Sequence, residues 1–186
     1  FRIENIVKKY SDHIPYPVKL IEEGKENDLK SLNSASALWM RNKKDIKQEQ
    51  YEEFYNHLGG IGKPWKIIHN TTEGLISFTN LLFIPEMKPF DLFNPDRKTS
   101  VKLYTNRVFI TDECENLLPS YLRFIKGVVD SEDIDLNVSR EMMQSNAALN
   151  KISKALVNRI LSEFKKEYEK DREGYEKFFN EFGAAF

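Results

Sequence analysis

Among the residues that could do chemistry, one arginine stands out because of its surroundings. Arg140 follows the acid-rich run Asp130–Asp135, and Gln144 comes four residues later, so the two would share a face of a helix. A guanidinium stays charged and offers a rigid fork of N–H donors that matches phosphate oxygens. The glycines of residues 59–62 lack the Lys-Ser/Thr ending of a phosphate loop. A phosphate-binding Arg140 would therefore serve a site built mostly elsewhere. The residues alone favour the other interpretation, a surface ion pair.

The other reactive side chains are isolated in the sequence. His13, His57 and His69 have no Cys or His partner at the spacing of a metal site, so no metal is predicted. Cys114 cannot form an internal disulfide, which favours a reducing compartment and predicts a cytoplasmic location. The acid-rich run lacks the glycine and final glutamate of a calcium loop, and we interpret it as a solvated turn.

Composition narrows the class of partner. The 186 residues include 28 basic and 29 acidic side chains, a formal net charge of −1 that offers no overall basic field. No apolar run approaches the roughly 18–20 residues that span a bilayer. We expect neither nucleic acid nor membrane as a partner. The basic residues Arg41, Lys43 and Lys44 nevertheless leave a nucleic-acid-binding domain as one of the hypotheses. Because the sequence starts at Phe1 without a methionine, we expect a piece of a longer protein.

Hydrophobic periodicity predicts an α/β fold. The pattern indicates an αβα sandwich over residues 1–145, a mixed sheet with helices on its faces, followed by a helical extension over residues 146–186. The spacing of Asp112 and Glu115 predicts a capped short helix. Helices are predicted over residues 4–10 and 48–58 and, from the apolar stripe that includes Leu149, Ile152 and Leu156, from residue 146 onward with a break at Gly174. Strands are predicted over residues 18–22, 65–69, 75–84, 101–104 and 108–110, with tight turns at residues 71–74 and 105–107.

For three aromatic residues the sequence allows either a buried or an exposed position. Trp39 lies between a polar stretch and a basic cluster, and Phe90 and Phe93 lie on a turn bounded by Pro89 and Pro95. Large apolar rings in such places either enter the core or form an exposed adhesive patch.

Several longer segments resemble a known family. The chain is similar, over nearly its whole length, to the middle segment of the 90-kilodalton heat-shock protein chaperones, most like the bacterial high-temperature protein G branch. The segments that carry the resemblance are Leu38-Trp39-Met40-Arg41-Asn42, Leu82-Phe83-Ile84-Pro85, Pro89-Phe90-Asp91-Leu92-Phe93, Val101-Lys102-Leu103-Tyr104, Arg107-Val108-Phe109-Ile110-Thr111-Asp112, Leu117-Leu118-Pro119 and the run from Gly127 to Gln144.

The resemblance implies an ATP-dependent chaperone of the stress response. ATP, with Mg²⁺, would be held by an N-terminal ATPase domain outside this chain, and Arg140 would reach its γ-phosphate. Gln144 would support the same catalytic loop. Leu136 and Val138 would dock the loop against the N-terminal domain.

The resemblance also implies partners. Trp39, Phe90 and Phe93 would contact unfolded or partly folded client proteins. For Trp39 the resemblance therefore favours an exposed position over packing in the core. The full-length protein would be a homodimer. We expect the isolated chain to be inactive as an ATPase. The alternative function is a protein-interaction module without a catalytic contribution.

Overall fold

The computed structural model describes residues 1–21, 29–135, 143 and 146–186. Its centre is a five-stranded sheet, with a separate two-stranded ribbon near the N-terminus. The described strands are β1 (Lys19–Leu20), β2 (Lys30–Ser31), β3 (Pro64–Thr72), β4 (Phe78–Pro85), β5 (Ser100–Thr105), β6 (Val108–Thr111) and β7 (Lys126–Asp130).

The large sheet is mixed, with the order β3-β4-β7-β5-β6. All neighbouring strands are antiparallel except β5 and β7, which run parallel. Asn106 and Arg107 between β5 and β6 have φ of 48° and 65°, as a two-residue hairpin turn requires, and the reversal predicted there is confirmed. The turn between β3 and β4 lies at residues 73–77, later than the predicted position, because the ladder continues to the pair Thr72–Phe78.

The helices lie on both sides of this sheet. The described α-helices are α1 (Arg2–Ser11), α2 (Gln48–His57), α3 (Ala147–Lys170) and α4 (Arg172–Phe182), and short 3₁₀ helices span Leu38–Met40, Lys43–Asp45, Ser120–Leu122 and Gly183–Ala185.

Helix α3 follows directly from its sequence pattern. The side chain of Asn146 caps it by accepting hydrogen bonds from the N–H groups of Ala148 and Leu149. The break after α3 falls at Asp171 rather than at the predicted Gly174, because the Asp171 carboxylate accepts the Gly174 N–H and starts α4. The apolar stripe of α3 is buried, and its members are Leu149, Ile152, Leu156, Ile160 and Phe164.

Alternation along the strands divides the core into two layers. On one face, residues such as Leu82 and Val129 pack with α3 and α4. On the other face, residues such as Phe83 and Val128 pack with α2 and the Leu38–Met40 helix. The predicted αβα sandwich followed by a helical extension is confirmed. The helices after residue 146 share one of the two cores with the sheet, and the domain boundary at residue 145 stays a prediction.

The short helix predicted at Asp112 is wrong. The segment forms a single turn in which the Leu117 N–H donates to the Cys114 carbonyl at 3.2 Å. Cys114, Leu117 and Leu118 are all buried, and Pro119 disfavours helical backbone at the residue before it. The proline therefore limits this segment to a single turn.

Candidate functional site

The strand β7 ends at a buried carboxylate. Asp130 is 6% exposed, and its Oδ2 accepts a hydrogen bond from Trp39 Nε1 at 2.9 Å and one from the backbone N–H of Arg107 at 3.1 Å. Burial raises the pKa of the Asp130 carboxyl, while the two N–H donors act in the opposite direction. Asp130 thus fixes the end of β7 to the Leu38–Met40 helix and to the β5–β6 turn.

The residues just after β7 are tied to the β3–β4 turn. Ser131 Oγ donates to the Ser77 carbonyl at 2.6 Å and accepts the Asp133 N–H at 3.2 Å. The Ser77 N–H in turn donates to Asp133 Oδ2 at 2.6 Å. The Ser131 N–H also donates to the Tyr104 carbonyl at 3.1 Å. The first residues beyond β7 are therefore held to the β3–β4 turn on one side and to β5 on the other.

Two buried side chains flank the segment that contains the predicted arginine. Ile134 is 1% exposed and Met143 is 8% exposed, and both belong to the core under α3 and α4. The predicted site residues Leu136, Val138, Arg140 and Gln144 lie outside the described residues. Their roles stay predictions.

Trp39 is in the core, so the expectation that it is exposed is wrong. Its side chain is 1% exposed and contacts the rings of Tyr104 and Phe54 at centroid distances of 4.8 and 5.9 Å. The indole N–H is also used by Asp130. A ring with its apolar surface covered and its N–H donated offers no face to a client protein in this conformation.

Two histidines surround Trp39. The ring of His13 packs edge-on to the indole at 4.7 Å, and its Nδ1–H donates to the Ser36 carbonyl at 2.7 Å. His69 Nε2–H donates to the Trp39 carbonyl at 2.8 Å, so its Nδ1 accepts from the Tyr51 hydroxyl, also at 2.8 Å. Burial lowers the pKa of both histidines, although each bond to a carbonyl acts the other way.

These histidines predict a loss of stability in acid. A histidine whose folded pKa is below its unfolded value of 6.5 stabilises the fold fully above that pH, and the contribution is lost as the pH falls through the folded pKa. We expect the free energy of unfolding, measured by urea denaturation, to fall between about pH 7.5 and pH 5.5. Asp130, whose pKa is raised, acts in the opposite sense at lower pH.

Histidine-to-glutamine variants test this cause. His13→Gln and His69→Gln should each flatten the pH dependence, because each removes one of the two imidazoles whose pKa is lowered by burial. A slope equal to that of the wild type in both variants would show that these histidines are not the cause.

The proline-bounded loop presents aromatic rings to solvent. Phe90 is 100% exposed and Phe93 is 51% exposed. Between them Leu92 is buried, and its N–H closes a turn on the Pro89 carbonyl at 3.1 Å. The carboxylate of Asp91 forms an ion pair with Arg97 at the other end of the loop. The loop is thus fixed from below while its rings point outward, as an adhesive surface requires.

An open depression of about 600 Å³ lies beside Asp130. The charged residues among its described lining are Glu73, Asp130, Glu132 and one cation, Arg107. An excess of carboxylates repels a triphosphate, so this depression does not fit ATP.

The described residues contain neither a metal-binding cluster nor a membrane-spanning helix. Within residues 1–21, 29–135, 143 and 146–186, no group of three or more His, Cys, Asp or Glu is placed to hold a metal ion. In the same ranges no helix has the length and apolar character needed to cross a membrane. Cys114 is buried, and burial raises the pKa of its thiol, which disfavours the reactive thiolate.

Comparison with known proteins identifies the family. A family model described as "Hsp90 protein" matches residues 22–186, and the chain therefore belongs to the Hsp90 family. The chain is 55% identical to "Chaperone protein HtpG" of Rickettsia rickettsii and 56% identical to the HtpG protein of Paramagnetospirillum magneticum, in each case over its whole length. These similarities place it in the HtpG branch.

The chain is much shorter than these relatives. It covers 30% of the Rickettsia rickettsii protein and 29% of the Paramagnetospirillum magneticum protein. The activity and the partners of a whole HtpG protein therefore apply to this chain only as proposals.

Proposed function

We propose that this chain is the middle segment of an ATP-dependent chaperone and that it supplies Arg140 to the γ-phosphate of ATP. The nucleotide, with its Mg²⁺, is bound by an N-terminal domain outside this chain. Docking of the two domains brings the guanidinium to the phosphate, so closure and hydrolysis are coupled. Gln144 supports the same loop, and Leu136 and Val138 seat it against the N-terminal domain.

The observation that carries this proposal is the pair of anchors on either side of the arginine. Ile134 and Met143 are both buried in the core of the sandwich, and Arg140 falls between them in the sequence. A group that must contact a phosphate bound by another domain needs its segment anchored at both ends, because small displacements of a reacting group lower rates strongly. Membership of the Hsp90 family supports the same reading.

The chemistry asked of Arg140 is electrostatic. As the γ-phosphoryl group transfers to water, negative charge spreads over its oxygens, and a guanidinium placed there by domain closure stabilises that charge. Arginines supplied in this way raise phosphoryl-transfer rates by about 10³–10⁵ in other enzymes. The guanidinium suits the task because it remains charged and donates two parallel hydrogen bonds.

The experiment that tests this proposal measures ATP binding and ATP turnover separately in the full-length chaperone. In the Arg140→Ala variant, lost turnover with retained binding supports the proposal. Equal losses in binding and turnover would indicate a binding or structural role, and unchanged turnover would leave only the protein-interaction module.

We also propose that Phe90 and Phe93 contact client proteins. The two rings are exposed on a loop that Leu92 and the Asp91–Arg97 ion pair hold in place. Unfolded and partly folded proteins expose apolar segments that such rings can cover. This surface would serve equally in the alternative function, a protein-interaction module in which Arg140 has no catalytic part.

Replacing Phe90 by serine should weaken client protection without changing ATP turnover. The ring makes no buried contact that the fold needs, since its side chain is fully exposed. We expect suppression of the aggregation of a heat-denatured test protein to require a several-fold higher concentration of the full-length Phe90→Ser chaperone, because one exposed aromatic anchor is lost. Leu75→Ser, at another exposed apolar position (98% exposed), is the control and should behave as the wild type. Equal protection by all three proteins would remove Phe90 from the client surface.

The remaining proposals concern the parent protein. We propose that it works as a homodimer in the stress response and acts on unfolded or partly folded proteins. A cytoplasmic location is proposed because the single cysteine suits a reducing compartment.

A further inference from the structure

The hydrogen bonds between the β3–β4 turn and the residues after β7 form a closed ring. Ser131 Oγ reaches the Ser77 carbonyl at 2.6 Å, the Asp133 N–H reaches Ser131 Oγ at 3.2 Å, and the Ser77 N–H reaches Asp133 Oδ2 at 2.6 Å. We call Ser77, Ser131 and Asp133 the loop-base ring. The side chains of Ser131 and Asp133, both beyond β7, take part in this ring, whereas Ser77 contributes only its backbone N–H and carbonyl.

The loop-base ring extends the sheet past the end of its strand. The paired residues of β7 and β4 end at Asp130 and Thr79, and those of β7 and β5 end at Asp130 and Tyr104. Beyond that point the Ser131 N–H still reaches the Tyr104 carbonyl at 3.1 Å, and the ring bonds the other side to Ser77. The direction in which the chain leaves the sheet is therefore set by side-chain bonds as well as by the backbone ladder.

The two side chains differ in their surroundings. Ser131 is 2% exposed, so its hydroxyl has little access to water as an alternative partner. Asp133 is exposed, and the core does not depend on it for packing. Glu132, between them in the sequence, is also exposed and makes no hydrogen bond to any residue that the structure describes.

We propose that Ser131 and Asp133 are positioning residues for Arg140, an inference that rests on the proposed function. They act seven to nine positions before the arginine by fixing where its segment leaves the sheet. Neither touches ATP. Their loss leaves the guanidinium chemically intact but less often in the geometry that the phosphate requires.

The test compares variants of the full-length chaperone. Ser131→Ala removes a donor and an acceptor, and Asp133→Ala removes an acceptor for the Ser77 N–H. Asp133→Asn replaces the carboxylate oxygen by an amide oxygen that can still accept the Ser77 N–H, so this variant should retain most of the wild-type turnover. Glu132→Ala is the matched control for loss of an adjacent exposed carboxylate. Ser77→Ala is the control for the turn, because the backbone bonds of Ser77 remain.

We expect Ser131→Ala and Asp133→Ala to lower kcat for ATP hydrolysis by about tenfold to a hundredfold, with the Kd for ATP changed by less than about twofold. Both control variants and Asp133→Asn should stay within about threefold of the wild-type kcat. Since Asp133 is exposed, its variants should fold even if Ser131→Ala does not. Wild-type kcat in Asp133→Ala, or equal losses in Glu132→Ala, would overturn the inference.

A double-mutant cycle separates this inference from the proposed function. If the loop-base ring acts through Arg140, adding Asp133→Ala to Arg140→Ala should cause no further loss of kcat. Losses that multiply in the double variant would mean that the ring acts independently of the arginine, and the inference would fail while the proposed function stands. If Arg140→Ala alone keeps full turnover, the proposed function itself fails.

Discussion

Arg140→Ala should lower kcat for ATP hydrolysis by the full-length chaperone about 10³-fold or more. The Kd for ATP should change by less than about threefold, because the groups that bind the nucleotide in the ground state lie in another domain. The physical reason is that the guanidinium meets the phosphate only when the domains are closed, so its contribution is made in the transition state. The measurement pairs steady-state turnover with equilibrium binding of ATP.

Arg140→Lys is the matched control for this prediction. Lysine keeps the positive charge but has no planar fork, so it should restore only a part of the lost rate. Full restoration would mean that charge alone is needed. No restoration would mean that the paired hydrogen bonds supply nearly all of the effect.

Gly127→Ala should cause a large loss of stability. Gly127 lies in β7, between β4 and β5, with φ of +153°. A Cβ there would lie 2.3 Å from the Leu81 carbonyl oxygen and 2.8 Å from Leu82 Cα, and both are backbone atoms that cannot rotate away. Overpacking and backbone strain each cost about 1–3 kcal/mol, so we expect a loss of about 2–6 kcal/mol in the free energy of unfolding of this chain, measured with urea.

Gly74→Ala separates strain from steric overlap. Gly74, in the β3–β4 turn, has nearly the same φ, +152°, but an added Cβ would meet nothing within 4 Å. We expect it to lose only the strain component, about 1–3 kcal/mol. Equal losses in the two variants would show that backbone conformation, rather than the close approach to β4, accounts for the glycine in β7.

Local patterns in the sequence were sufficient for the elements whose contacts lie close along the chain. The stripe of Leu149, Ile152 and Leu156 predicted α3 because the helical repeat is a property of one segment. The reversal at residues 105–107 was predicted for the same reason, since a short polar loop between two apolar runs determines a hairpin.

Trp39 shows why other features could not be predicted. Its neighbours in the sequence are polar or basic, which suggested a surface position, but its hydrogen-bond partner Asp130 is 91 residues away. Burial here is decided by pairing β7 with strands from the rest of the sheet, and no local pattern contains that information.

The loop-base ring was missed for a related reason. The residues after β7 were interpreted as a solvated acidic turn, and Glu132 fits that description. Ser131 and Asp133, however, bind a turn 54 to 56 residues earlier in the sequence. A Ser-x-Asp spacing directly after a strand is a common turn former, so its pattern alone does not reveal a partner in another strand connection.

The central claim is that Arg140 contacts a phosphate held by a different domain. The most direct test is an experimental structure of the full-length chaperone bound to ADP and aluminium fluoride, which mimics the γ-phosphoryl group in transfer. Our account predicts Arg140 nitrogen atoms about 2.7–2.9 Å from the fluoride ligands or the β-phosphate oxygens. A guanidinium held instead by both oxygens of a carboxylate in its own segment, out of reach of the nucleotide, would contradict it.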